Sequence, residues 1–421
     1  MTPVLQLPPG STLRVALCWD ADTEVAVGRL GMRGRFCLFE FDRDFLAHGP
    51  EISPLRLPRQ PGVVETREPM FEHLPGVFND SLPDGWGRLL LDRLARRQGV
   101  QPERLTPLDR LAHVGSSGIG ALVYHPEIVN EPSAQAVDLD TVAAEAQAVL
   151  EGTGDDVLTR LQALGGSPQG ARPKALVQIQ ETTGRIADAL QSRGPGWRDW
   201  LVKFGAQGDV PDIGPVEFAY AQMAKAAGVR MPDVRLLPSR TGPGFFAACR
   251  FDREGAVRHH VVTAAGLLHA DYRVPSLDYV DLAKLTVRLT RDHQQGEDLF
   301  RLMAFNVLAH NRDDHAKQFS FVMTREGAWR LSPAYDLTFS SGMGGEHTTA
   351  VAGEGRSPGR EHMLRVADAA GLKRAHAGEI LERTREVVGR WLEFAEAAGV
   401  TAGTSAGIES TLRGLAVRGL G

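Results

Sequence analysis

Cysteine is scarce. Cys18, Cys37 and Cys249 are the only three, and with no CxxC or Cys/His ligand spacing they exclude a complete disulfide framework and a structural zinc site. Long apolar runs are missing too. No stretch reaches roughly eighteen consecutive apolar residues, and the opening MTPVLQLPPG lacks a basic start leading into an apolar core, so neither a membrane span nor a leader peptide is expected. The expectation is a cytoplasmic protein in a reducing compartment, with no membrane partner. A surplus of positive charge is absent as well: the formal net charge is -5, unlike the balance of a dedicated nucleic-acid binder. No internal repeat or low-complexity tract interrupts the chain.

What is present is the composition of a globular enzyme, 43% hydrophobic and 24% charged residues over a length of 421. That length exceeds one ordinary core, so two or three packed units are expected. From Leu13 to about Pro61, short alternating segments such as LRVALCWD and GRFCLFEFD, separated by Gly and Asp, predict a small antiparallel sheet. A turn at Pro83, Asp84 and Gly85 leads into a helix ending near Gly99, and GSSGIGALVYHPE predicts a turn into a further strand. A polar, Ala-rich helical stretch then runs from about Asn130 to Leu164.

Strands follow at KALVQIQ, RIADALQ and WRDWLVKF, then a helix PVEFAYAQMAKAAGV with Gly228 after its last turn, then strand-like VRLLPS and GPGFFAACRFDR. From about His260 helical patterns dominate, with one short hairpin around Glu326 and Gly327. The expected fold is α+β and two-lobed: residues 1–126 a β-rich subdomain, 127–255 a small lobe, 256–421 a helical lobe.

Four stretches carry chemistry. In HNRDDHAKQFSF, Asp313, Asp314 and His315 crowd two carboxylates and an imidazole at the end of an apolar helix, where burial and like charge shift protonation; a solvated capped loop is the plain alternative. In LSPAYDLTF, Asp336 stands just past the following hairpin, so two acids could meet in one cleft from opposite ends of it. In LGGSPQGARPKALV, glycines let backbone N–H groups approach phosphate oxygens, with Arg172 and Lys174 to neutralise charge, although the loop is neither a Walker A nor a GxGxxG sequence. In WLVKF, Lys203 is a cation within an apolar strand and needs an anionic partner, ATP phosphate or the carboxylate of Glu217, unless it snorkels outward from a sheet edge.

By GARPKA, WLVKF, VEFAYAQMAKAAGV, CRFDR, NRDDHAKQFSF and SPAYD, taken in this order, the chain resembles the HipA family of bacterial toxin kinases from about Leu13 to Glu393. The resemblance implies a two-lobed serine/threonine kinase using ATP and Mg2+. It implies Asp313 as catalytic residue, Asp336 and Gln318 as metal ligands, and Ser167 as a loop serine phosphorylated by the enzyme itself. It implies nucleotide contacts from Ser167, Gly170, Ala171, Arg172, Lys174, Lys203, Cys249, Phe251, His315, Lys317 and Tyr335. It also implies a helix-turn-helix antitoxin partner (HipB-like), DNA reached only through that partner, and a protein substrate, with an aminoacyl-tRNA synthetase as the leading class. Phosphate on Ser167 would add about two negative charges to a loop meant to hold phosphates, a physical route to inactivation.

Two departures stand out. Gln318 occupies the place of a usual Asn and carries its carbonyl on a longer arm, which puts the metal geometry in question. Cys249 replaces a familiar acidic residue in the linker between lobes, with little loss expected where contacts to adenine are made by backbone. The alternatives are a nucleotide-binding pseudokinase acting as an antitoxin-binding co-repressor, and a metal-dependent hydrolase using Asp313, Asp314, His315 and Asp336.

Overall fold

The computed structural model describes residues 5–128, 136–166, 168–189 and 193–419. The N-terminal sheet is antiparallel, in the order Val63–Thr66, Phe36–Phe41, Glu24–Arg33, Leu13–Cys18, Leu122–His125. Alternate residues of a strand share a face, and Leu13, Val15 and Leu17 are accordingly buried while Arg14 faces water. The strand expected after GSSGIG is the one that closes this sheet beside Leu13–Cys18.

A second antiparallel sheet runs Ile186–Asp188, Lys174–Gln180, Trp197–Lys203, Phe245–Cys249, Val234–Leu237. Lys203 therefore sits on the central strand. Helix Ile213–Ala226 lies against this sheet, and Gly228 adopts a φ of 87° just beyond it, a left-handed turn that glycine allows without a Cβ clash. The helical stretch expected over 130–164 is two helices, Leu139–Leu150 and Leu158–Gly165, because Gly152 and Gly154 at φ 89° and 77° break the right-handed run between them. Its first residues lie outside the described part, as do those after Ala189.

The remainder is mostly helical, with Tyr279–Thr290 and His293–Leu308 at its centre and Arg360–Ala369, Arg374–Val388, Trp391–Ala398 and Ala402–Gly419 around them. The expected hairpin is Ser320–Met323 with Trp329–Leu331. It gains a third strand, His260–Thr263, where helical patterning was expected to begin; the β-branched HVVT prefers the pleated surface. No helix among the described residues is long and apolar enough to cross a membrane.

The apolar core is shared unevenly. One cluster runs from the N-terminal sheet into the helical part, while a smaller one, built on Trp200, Val202 and Ala247, belongs to the second sheet and takes in Trp86 and Leu90 from helix Gly85–Arg97. Where N-terminal unit and interlobe linker meet, a charged knot is buried. Asp252 accepts from Arg250 Nε (3.0 Å), Arg253 Nη1 (2.6 Å) and the Gly120 amide (2.7 Å), and the arginines also donate to the carbonyls of Gly118 and Gly120. Burial works against the Asp252 charge, but the two guanidiniums outweigh it and hold the carboxyl well below its usual range. Breaking a buried network by removing one partner leaves the others uncompensated. Asp252→Ala should therefore cost about 3–5 kcal/mol in chemical denaturation; a loss no larger than that of a surface ion pair, under about 1 kcal/mol, would mean that the knot is solvated.

Candidate active site

The cleft between the second sheet and the helical part is organised around two lysines. Lys174 and Lys203 are register partners on neighbouring strands, a like-charge pair that is unfavourable unless anions intervene. The anions are there. Lys203 Nζ lies 3.2 and 3.1 Å from the two oxygens of Glu217, which helix Ile213–Ala226 presents, and it also bonds Asp336 Oδ1. Burial works against the Lys203 ammonium, but Asp336 and Glu217 raise its pKa above the ordinary lysine value. Arg172 shares Glu217 Oε1 at 2.7 Å and reaches Asp209 at 2.9 Å. Lys174, buried and next to Lys203, is pushed down to about 8, chiefly by burial, and its ammonium donates to the Gln169 carbonyl.

Asp336 is held in the left-handed region at φ 57°, which turns its carboxylate back toward the sheet. Burial opposes its charge, yet Lys203, Gln318 and Lys174 more than offset that and keep the carboxyl far below its usual range. Gln318 spends its amide nitrogen on Asp336 Oδ2 at 2.9 Å, leaving its carbonyl oxygen as the group able to meet a cation. Among the described residues no cluster of three or more His, Cys, Asp or Glu is set to hold a metal alone. One carboxylate and an amide oxygen do fit a Mg ion that brings phosphate oxygens and water with it.

The acidic loop follows helix His293–Leu308 through His310, whose φ of 55° reverses the chain. It separates its neighbouring acids. Asp313 is exposed toward the cleft, and its carboxyl is raised above the usual range, first by the protein walls that withdraw it from water and then by Asp336 and Asp314, with His315 drawing it back. Asp314 is fully buried and accepts from Tyr279 Oη (2.9 Å), the Thr348 amide (2.8 Å) and the Thr349 amide (3.2 Å), with His347 Nδ1 at 2.8 Å. One acid is available and the other is structural.

Of the described residues singled out from the sequence, all but the buried Glu217 and Asp314 line one cleft of about 670 Å³. Gly170, Ala171 and Arg172 form its loop side, Lys174 and Lys203 its sheet, Cys249 and Phe251 its linker side, and Asp313, His315, Lys317, Gln318, Tyr335 and Asp336 the opposite wall. Ser167 lies outside the described residues. Phe251 stacks on Tyr335 with centroids 5.6 Å apart, and Tyr335 Oη donates to the Lys317 carbonyl at 2.7 Å. At the linker, the Cys249 and Arg250 amides already donate to the carbonyls of Asp233 and Asp199, each at 2.8 Å, so those two donors are used within the protein. Burial pushes the Cys249 thiol up.

Three cleft residues escaped sequence reading. Asp84, in the LPDGWG turn, receives Lys317 Nζ at 3.0 Å; Tyr272 lies under that ammonium, 4.2 Å from it. Asp80 accepts from the amide and hydroxyl of Thr263 at 2.7 and 2.8 Å, and burial pushes its carboxyl up to about 6. The only signal in the sequence was the pair Gly85 and Gly87, whose lack of Cβ admits the Gly-rich loop.

A model of the HipA-like C-terminal domain matches residues 166–391, and a model of the HipA N-terminal domain matches residues 22–125. "Putative kinase Y4dM" of Sinorhizobium fredii is 28% identical over 279 residues, covering 63% of this chain and 62% of that protein, so the match spans less than two thirds of the relative's length. The Shewanella oneidensis MR-1 toxin–antitoxin complex of HipA, HipB and operator DNA contains a chain that superposes with a TM-score of 0.67 at 17% identity, over 97% of both chains. At that identity the likeness shows the fold, and the fold and the family models agree: the chain belongs to the HipA-like family.

Proposed function

We propose that the chain is an ATP- and Mg-dependent protein kinase that phosphorylates a serine or threonine hydroxyl, and that it is the toxin of a toxin–antitoxin pair. One observation carries the reading: Lys203 on a central strand is paired at once with Glu217 of the adjacent helix and with Asp336 from the other side of the cleft, while Asp313 stays open. This is the arrangement of positioned charges that phosphoryl transfer needs. Nucleotide with its cation supplies the phosphoryl group and neutralises charge on it. Lys203, Arg172 and the glycine-bearing loop would bind phosphate oxygens, Asp336 and the Gln318 carbonyl would hold the cation, and Asp313 would orient the substrate hydroxyl and receive its proton.

Around that chemistry we place Ser167 as a self-phosphorylation site, a HipB-like helix-turn-helix partner through which DNA is reached, and a translation-related substrate such as an aminoacyl-tRNA synthetase. The partner draws support from the HipB in the Shewanella oneidensis complex. The second reading, a nucleotide-binding pseudokinase acting as an antitoxin-binding co-repressor, is favoured by Gln318 in place of the family's usual Asn, which sets the cation-facing carbonyl on a longer arm.

Purified protein incubated with labelled ATP and Mg2+ should label itself on Ser167 and label a discrete protein in lysate. Binding of nucleotide without any transfer would install the pseudokinase reading instead. Asp313→Asn should lower transfer by roughly 10²- to 10⁴-fold with nucleotide affinity nearly unchanged, whereas Asp336→Asn should lose Mg-dependent nucleotide binding as well.

Lys203→Ala should weaken ATP binding by about 1.5–3 kcal/mol in calorimetry while the fold survives, since Arg172 still covers Glu217. Unaltered affinity would remove Lys203 from the phosphate site. Asp314→Asn should act on the fold, costing about 1.5–3 kcal/mol in denaturation with specific activity of the folded enzyme largely kept. Full stability with lost transfer would exchange the roles of the two neighbouring acids.

A further inference from the structure

The N-terminal unit reaches the cleft at one carboxylate. Asp84 occupies the N-cap position of helix Gly85–Arg97, yet its side chain caps no amide of that helix. Forgoing a cap gives up helix stability. Its two oxygens go elsewhere: Oδ1 accepts from the amide of Gly170 in the Gly-rich loop, and Oδ2 lies 3.0 Å from Lys317 Nζ of the acidic loop. The side chain is only 18% exposed, and that of Lys317 6%.

The surrounding backbone is shaped for this contact. The Trp86 amide donates to the Gly170 carbonyl at 3.1 Å, so Gly170 is held by both its main-chain groups. A Cβ at Gly85 would stand 2.4 Å from Ala171 Cα, and one at Gly87 2.2 Å from the Gly166 carbonyl oxygen. Glycine at both places is what lets the loop lie against the helix start. A structural tether alone would need the loop contact; it would not need a carboxylate that also spans the cleft to a nearly buried ammonium.

We propose that Asp84 is a positioning residue of the phosphoryl-transfer site, with one oxygen fixing the Gly-rich loop at Gly170 and the other fixing Lys317, so that the two stand at a set separation before nucleotide enters. The proposal rests on the kinase reading for its kinetic part. It gives the N-terminal unit a share in the chemistry of the cleft, acting through Gly170 and Lys317 and touching no substrate itself.

The two arms separate by substitution in the full-length chain. Asp84→Asn keeps an acceptor for the Gly170 amide and loses the charge facing Lys317; kcat should fall about tenfold with the KM for ATP within about twofold of wild type. Asp84→Ala loses both contacts, so the KM for ATP should also rise, by about tenfold. On a Lys317→Met background, Asp84→Asn should have almost no further effect, as expected for residues acting through one contact. Amide hydrogen exchange in nucleotide-free protein tests the loop arm without any kinetics: exchange over residues 168–172 should speed up at least tenfold in Asp84→Ala and hardly at all in Asp84→Asn. If both variants change only the melting temperature, with KM, kcat and loop exchange at wild-type values, Asp84 is a structural tether and the proposal fails. Equal loss from Asp84→Asn with and without Lys317 would likewise overturn the Lys317 arm. Absence of transfer in the wild-type protein would instead count against the kinase reading, and loop exchange would still decide the Gly170 arm.

Discussion

Everything in the cleft depends on the ammonium of Lys203. An isolated buried cation costs several kcal/mol, and the adjacent Lys174 in register adds repulsion. The sheet can keep both only because Glu217 and Asp336 arrive from two other elements. Helix Ile213–Ala226 must therefore sit close to the sheet, and the segment after the hairpin must turn back toward it, which the left-handed Asp336 achieves. The apparent extravagance of two lysines and an arginine in one small space is balanced by three carboxylates, Glu217, Asp209 and Asp336.

Much of this was legible in the chain because it is written locally. The strand-centred Lys203, the helix bearing Glu217, the hairpin between the acidic loop and Asp336, and the N-terminal strands all follow from alternation, helical spacing and turn residues within short windows. The alternative of Lys203 on an exposed edge fails because a strand on either side encloses it. The strand His260–Thr263 was missed since four residues carry too little periodicity to be told from the start of a helix. The Asp84 contact to Lys317 joins residues 233 positions apart, and the knot on Asp252 joins Gly120 to the linker; no local pattern reports either. The separation of Asp313 from Asp314 was legible only in part, because which of two adjacent acids turns inward is decided by Tyr279, His347 and Thr348, all distant in sequence.

The N-terminal unit is more than an appendage to the two lobes. Its Gly118 and Gly120 carbonyls anchor the linker arginines, and its Asp80 holds Thr263 at the start of the helical part. Arg56 donates to the Leu268 carbonyl at 2.9 Å. Gly76 packs so closely on Gly266 that a Cβ there would stand 2.3 Å from the latter's carbonyl oxygen. With Asp84 on the Gly-rich loop, the unit touches both walls of the cleft and the linker, and so limits how far the walls can part.

The same wide spacing of partners has a consequence for synthesis. Chain elongation at about 5–20 residues per second puts tens of seconds between the emergence of Asp84 and that of Lys317 and Asp336. Until then Lys203 lacks the carboxylate from the far wall, and Asp84 has nothing to bridge to. The nascent chain can complete its first sheet early, since those strands lie within residues 13–125, but the cleft waits for the acidic loop and Asp336. The ion pair that joins the two walls of the cleft, Lys203 with Asp336, therefore cannot form until the chain has grown past residue 336.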